Sequence, residues 1–156
     1  MMQASTAITC SCGSSRFAAK GVPLVRAICH CTICQRFNQS DFADVTVFYR
    51  KDVEVKDDKN VTYTAHKKPA IVMRGQCSVC TLPAIEQVSM PLMPKLTIVP
   101  TRNLTDHSAL PDAGLHIFYD KRVRDMYDDV PNYSGYMQSQ IAFGAALIRG
   151  MVHRRG

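Results

Sequence analysis

Three cysteines fall within six residues, CHCTIC at 29 to 34, with His30 between the first two. Cys10 and Cys12 precede them in CSCG, and Cys77 and Cys80 follow in CSVC. Thiolates are soft ligands suited to zinc, and C-x-x-C is a common zinc knuckle. Residues two apart on an extended backbone point the same way, so Cys10 and Cys12 aim together and Ser11 aims opposite. Gly13 behind them can take the positive φ that turns a backbone past a metal. With Cys77 and Cys80 they complete a closed four-cysteine site joining the first strand to a later hairpin. By the same geometry Cys29 and Cys31 share a face, Cys31 and Cys34 have knuckle spacing, and His30 points away from them. These three thiols can converge on one ion, and no cysteine is left to be their fourth. A second partition joins Cys29 and Cys31 to Cys10 and Cys12 and leaves Cys34, Cys77 and Cys80 as the trio. The nearness of Cys34 to Cys31 favours the first scheme.

Two zinc sites of this kind would do different work. A closed site has no free position and staples the fold. An open three-thiolate site carries net negative formal charge, so its metal is a weaker Lewis acid than one held by neutral imidazoles. Soft ligands suit a soft newcomer. A thiol from outside the chain is therefore expected in the gap, held as a nucleophilic thiolate. That points to chemistry at carbon–sulfur bonds and away from hydrolysis.

The elements that must hold these thiols read as mainly β. In VTVFY, Val45, Val47 and Tyr49 alternate with Thr46 and Phe48. Val53 and Val55 alternate with charged neighbours, KDDKN reads as a charged hairpin turn, and Val61, Tyr63 and Ala65 form the returning face. Ile71 with Met73, Leu96 with Ile98, and Leu115 with Ile117 and Tyr119 continue the period of two. Such runs, punctuated by Pro91, Pro94, Pro100 and Pro111, predict a small antiparallel β domain clasped by zinc, with short helices. The exception is the C-terminal end, where a helical extension over 134–153 is predicted. One apolar stripe there is Met137, Ile141, Ala145, Ile148 and Val152, and a second is Tyr136, Phe143, Leu147 and Met151. Ser134 is its expected N-cap, and Gly144 and Gly150 weaken it. This wide apolar face suits packing on the sheet or, alternatively, a homodimer contact; a membrane-surface helix comes third, because the polar side carries too few basic residues until the very end.

Bulk properties narrow the class. A chain of 156 residues with 46% apolar content fits one globular domain, 1–156. The start MMQASTAITC lacks a charged, apolar leader, and no run approaches a membrane span. The expectation is a soluble cytoplasmic protein in which seven cysteines serve as ligands and not as disulfides. The formal charge of +6 is compatible with an anionic substrate. It is spread over Lys67 and Lys68, over Lys121, Arg122 and Arg124, and over Arg149, Arg154 and Arg155. No dense basic arm or basic–aromatic interleaving favours nucleic acid.

The order CSCG, CHCTIC, CSVC and LHIFYD resembles the glutathione-dependent formaldehyde-activating enzyme family, which also contains centromere protein V. The likeness runs from about Ile8 to about Tyr133. It implies a β fold with Cys10, Cys12, Cys77 and Cys80 as structural zinc ligands. It implies a second zinc at Cys29, Cys31 and Cys34, where the family's activity is placed. The activity it implies is that of a carbon–sulfur lyase, an S-(hydroxymethyl)glutathione synthase, with glutathione or another thiol as partner. Thr81 replaces the usual glycine after the second knuckle, Gln35 the usual arginine, and Gln76 the usual aromatic. The usual tryptophan after the His-Ile strand is missing near Met126 and Tyr127. His30 and His116 are candidate substrate contacts or hydrogen-bonded supports, while His66, His107 and His153 carry no signal. Two rival readings are a non-catalytic zinc module binding nucleic acid or a protein, and a thiol-based sensor.

Overall fold

The computed structural model describes residues 5–155. The first four residues of the leader reading and the side chain of Arg155 lie outside that description. The fold is mainly β with two α-helices, and it divides into two compact units.

The first unit holds residues 5–22 and 47–109. Strands β1 (Ser5–Thr9), β2 (Arg16–Lys20) and β5 (Val53–Asp57) form one antiparallel sheet in the order β1-β2-β5. Strands β6 (Val61–Ala65), β7 (Val72–Cys77), β8 (Pro83–Val88) and β9 (Leu96–Pro100) run antiparallel in the order β9-β8-β7-β6. Its core includes Ile8, Phe17, Val47, Ile85, Val99 and Leu104, each at most 2% exposed. Gly75 is required here, because a Cβ would press on the Tyr63 and Val61 side chains and the Ile85 carbonyl. The KDDKN segment does turn, with the Val61 amide donating to the Asp58 carbonyl. It does not make the expected hairpin. β5 pairs with β2 and β6 pairs with β7, so the chain changes sheets at that turn.

The second unit holds residues 23–46 and 110–155. Its strands β3 (Val25–Cys29), β4 (Ala43–Tyr49) and β10 (Leu115–Ile117) lie in the order β10-β3-β4, and β4 carries the chain on into the first unit. β10 pairs with β3 in parallel, with His116 opposite Ile28 and Ile117 opposite Cys29, an exception to the antiparallel expectation. The VTVFY alternation does not mark a solvent face, since Val45, Thr46, Val47 and Phe48 are all buried. Tyr119 is not on the strand either. Phe118 takes a left-handed φ of 54° that ends β10, and Tyr119 starts a short 3₁₀ turn.

The short helix α1 (Thr32–Asn38) follows β3, and the long helix α2 (Tyr136–Arg155) packs on β10 and β3. α2 starts later than a Ser134 cap would place it. Gly135, at φ 79°, precedes it, and the Ser139 amide donates to the Gly135 carbonyl. Ser139 is fully buried and its hydroxyl accepts from the Phe118 amide at 2.8 Å. Gly150 allows the close crossing over β3, where a Cβ would overlap the Leu24 carbonyl. The two predicted stripes part company: Leu147 is buried, whereas Met137, Ile141, Ile148 and Val152 are 57–68% exposed.

Candidate metal centres

In the first unit, the four sulfurs of Cys10, Cys12, Cys77 and Cys80 lie within 4.8 Å of one another. Two turns bring them there. Cys10 and Cys12 sit between β1 and β2, where Gly13 takes φ 77° and donates its amide to the Cys10 carbonyl at 3.0 Å. Cys77 ends β7, and the Thr81 amide closes the next turn on the Cys77 carbonyl at 2.8 Å. The Cys10–Cys12 and Cys12–Cys77 sulfurs are 3.5 and 3.7 Å apart. With Zn–S bonds near 2.3 Å, the sulfurs of a tetrahedral site stand about 3.8 Å apart, so the cluster fits a metal of that size.

Donors around this cluster favour thiolates. Ser14 Oγ is 3.1 Å from the Cys12 sulfur and 3.0 Å from that of Cys77. Burial pushes Cys10 up, but hydrogen bonds from Ser15, Cys12 and Ser14 outweigh it and bring the thiol down to about 5. Cys77 follows the same pattern: burial raises it, and Ser14 with the amides of Cys80 and Val79 brings it below its ordinary value. Cys80 goes the other way, raised chiefly by burial.

The turn also explains two unusual residues. Thr81 adopts φ 62°, the left-handed region that glycine takes freely and a β-branched residue resists. Gln76 compensates by donating from Nε2 to the Thr81 carbonyl at 2.7 Å. Thr81→Gly is expected to raise unfolding free energy by about 1 kcal/mol, after allowing for glycine's greater freedom in the unfolded chain. A urea titration at fixed zinc measures it, and an unmoved or lower midpoint would show that the turn carries no strain.

In the second unit, the sulfurs of Cys29, Cys31 and Cys34 also lie within 4.8 Å of one another. Among the described residues, no fourth His, Cys, Asp or Glu ligand atom joins them. Cys29 ends β3, Cys31 is the extended N-cap of α1, and Cys34 lies in the first turn of that helix, its amide donating to the Cys31 sulfur at 3.3 Å. Without a cation Cys29 and Cys34 hold their protons. Contact with Cys31, and burial, push Cys29 up to about 12. Cys34 is raised well above its ordinary value by Cys29, Cys31 and burial. A divalent cation is what would let three adjacent sulfurs ionise together, so this donor set also fits a soft-site metal. Both clusters could therefore hold metal ions.

His30 and His116 come together beside this trio, 1% exposed each. In the parallel register of β10 on β3, the His30 amide donates to the Ile117 carbonyl at 3.0 Å. His30 Nε2 is 2.9 Å from His116 Nδ1, and His116 Nε2 is 3.0 and 3.1 Å from the two Asp128 oxygens. Burial raises the Asp128 carboxyl, but hydrogen bonds from His116 and the Val130 amide bring it below its usual range, so it is ionised and only accepts. His116 then carries a proton on Nε2, and with a neutral His116 ring its Nδ1 would accept from His30 Nε2–H. Burial, then His116 and Arg122, hold His30 down at about 4. Tyr119 stands edge-on to the His30 ring at 5.2 Å and Phe42 lies at 5.8 Å.

Spacing alone did not bring Asp128 into this group, because only the return of residues 131–133 along β10 places it there. Nitrogen-15 shifts of the rings should find both histidines protonated at Nε2. Asp128→Ala should mix the His116 tautomers. Pure, unchanged tautomers in that variant would refute the order of donors.

The surroundings are basic and tied down. Gln35 Nε2 donates to the carbonyls of His30 at 2.6 Å and Lys121 at 2.9 Å. Arg122 stacks 4.4 Å from the Tyr119 centroid and pairs with Asp125, and Arg124 lies 5.6 Å from that of Phe42 and pairs with Asp41. Tyr119, the seat of Arg122, is near in sequence, whereas Phe42, the seat of Arg124, is distant and leaves no spacing signal.

The model of the glutathione-dependent formaldehyde-activating enzyme family matches residues 5–121. No curated protein matches the chain. A crystal structure of a Rhodobacter sphaeroides protein is similar in fold, at a TM-score of 0.54 and 18% identity, covering 81% of this chain and 99% of that one. Among the described residues, no helix is long and apolar enough to cross a membrane.

Proposed function

Because the chain belongs to the glutathione-dependent formaldehyde-activating enzyme family, we propose that it makes and breaks a carbon–sulfur bond between glutathione and a small carbonyl such as formaldehyde. The observation that carries this reading is the trio Cys29, Cys31 and Cys34, three converging sulfurs with no fourth ligand group among the described residues. These three would hold one zinc ion, and Cys10, Cys12, Cys77 and Cys80 a second, structural one. Bound at the trio, zinc would supply a soft Lewis acid that keeps an incoming thiol ionised.

The chain's own residues account for the rest. Cys31 caps α1 and Cys29 ends β3, so the sulfurs are set by backbone elements and not by flexible side chains. The His30–His116–Asp128 chain anchors the backbone between Cys29 and Cys31 from the opposite face. Gln35 fixes the His30 carbonyl. Arg122 and Arg124 flank this corner, each paired with an aspartate, and would exchange Asp125 and Asp41 for the carboxylates of an incoming thiol. In the forward direction the glutathione sulfur bonds to the carbonyl carbon, and the thiol's proton is replaced by one on the former carbonyl oxygen. The reverse direction returns thiol and aldehyde.

The test is a cobalt-substituted protein titrated with glutathione. The sulfur-to-cobalt absorption bands are expected to shift and saturate, and formaldehyde exchange with S-(hydroxymethyl)glutathione to accelerate in the zinc form. Bands unmoved by saturating glutathione would end this reading.

A further inference from the structure

Helix α2 lies wholly beyond residue 121, outside the family match, and carries something that the proposed activity does not use. Four large apolar side chains stand out to solvent on it: Met137 at 68%, Ile141 at 67%, Ile148 at 57% and Val152 at 63%. At 3.6 residues per turn they fall on one strip about 60° wide. Ser139 and Leu147, which are buried, lie on the other side of the helix, as does Gly150 against Leu24. The strip is therefore left over after α2 has packed on its own sheet.

The strip has an internal symmetry. Its midpoint falls between Gly144 and Ala145. Met137 and Val152 are equally far from it, and so are Ile141 and Ile148. A two-fold axis through that midpoint sets Met137 against the partner's Val152 and Ile141 against the partner's Ile148. Small residues meet at the crossing, where a Cβ on Gly144 would have no heavy atom within 4 Å, so two backbones can approach closely. Self-complementarity of this kind is what an isologous dimer contact requires.

Charge chooses the direction. No acidic residue occurs from 134 to 156, and the cations Arg149, Arg154 and Arg155 all lie toward one end. Parallel pairing would bring these like charges together. Antiparallel pairing keeps the basic ends apart and opposes the helix dipoles favourably. Side chains of this size bury on the order of 100 Å² each. Four from each chain remove about 800 Å², the size of a weak, transient contact.

We propose that two copies of this chain pair through α2, antiparallel and two-fold about Gly144 and Ala145. The contact is weak and transient, as suits its small area. The zinc-loaded full chain should sediment at tens of micromolar with twice the 17.4 kDa chain mass. Ile141→Glu alone and Ile148→Lys alone should each give monomers with unchanged zinc content and circular dichroism, because both positions face solvent in the single chain. The double variant should restore the dimer, since each new glutamate then meets the partner's new lysine. Val152→Glu is a further variant expected to be monomeric. A monomeric parent chain, a dimer indifferent to Ile141→Glu, or a double variant that stays monomeric overturns the proposal. So does a monomer that co-sediments with anionic phospholipid vesicles through this strip, which would assign it to a lipid surface.

Discussion

Cys77→Ser is expected to abolish folding. The Cys77 sulfur is fully buried and touches the Cys12 sulfur and the Ser14 hydroxyl. It joins two turns of the first unit that are far apart in sequence. A structural zinc can contribute on the order of 10–16 kcal/mol of apparent folding free energy, against a whole-domain stability of about 5–15 kcal/mol. Serine offers a poor ligand in the same volume and buries a hydroxyl, which costs about 1–3 kcal/mol by itself. Stripping zinc from the unaltered chain with a strong chelator separates the two effects. Loss of the folded circular dichroism spectrum there assigns the larger part to the metal. Normal soluble yield and an unchanged Tm in Cys77→Ser, with zinc-free protein that melts as before, would remove the staple from the account.

Cys31→Ser should act oppositely, leaving the fold and removing the chemistry. Cys31 is the N-cap of α1, and its sulfur accepts from the Cys34 amide. Serine is among the best N-caps, so the local helix survives. The soft ligand does not. Metal content should fall from two equivalents to one, and the cobalt bands of the trio should vanish with their response to glutathione. Even outer partners of a metal site cost 10–100-fold when removed, so activity should drop by more than about 100-fold. A variant that keeps two metals and full turnover would place the reaction elsewhere on the chain.

The two clusters differ in how they hold protons, and this supports their different uses. Around Cys10 and Cys77, hydroxyls and amides stabilise the thiolate before any metal arrives. At Cys29 and Cys34, neighbouring thiols and burial keep the proton on. The staple is thus set to fill early. The trio must exchange its protons for a cation, so its loading should fall more steeply with acid than that of the staple.

Much of the cysteine grouping was legible because ligand spacing is a local property. Two residues on a strand, or three across a turn, point together whatever surrounds them. The departures from the family pattern were legible as substitutions but not as a pair. Only the turn geometry shows that Gln76 holds the carbonyl of the strained Thr81. Strand partners were less readable. Alternation identified Val53–Asp57 and Val61–Ala65 as extended, yet the turn between them does not pair them, because pairing is decided by which edges lie free nearby. The helix read correctly as helix, but two apolar stripes cannot by themselves say which one meets the sheet.

By itself the chain's order of residues determined three zinc-suited cysteine motifs, a mainly β framework and a terminal helix, since each follows from spacing of two to four residues. Tertiary structure decided what lies across from them: the parallel seat of β10 that joins His30 to His116, the loop that brings in Asp128, and the strip of α2 left to solvent. Those contacts join positions up to 86 residues apart, as between His30 and His116, and packing over such separations leaves no periodic trace in sequence.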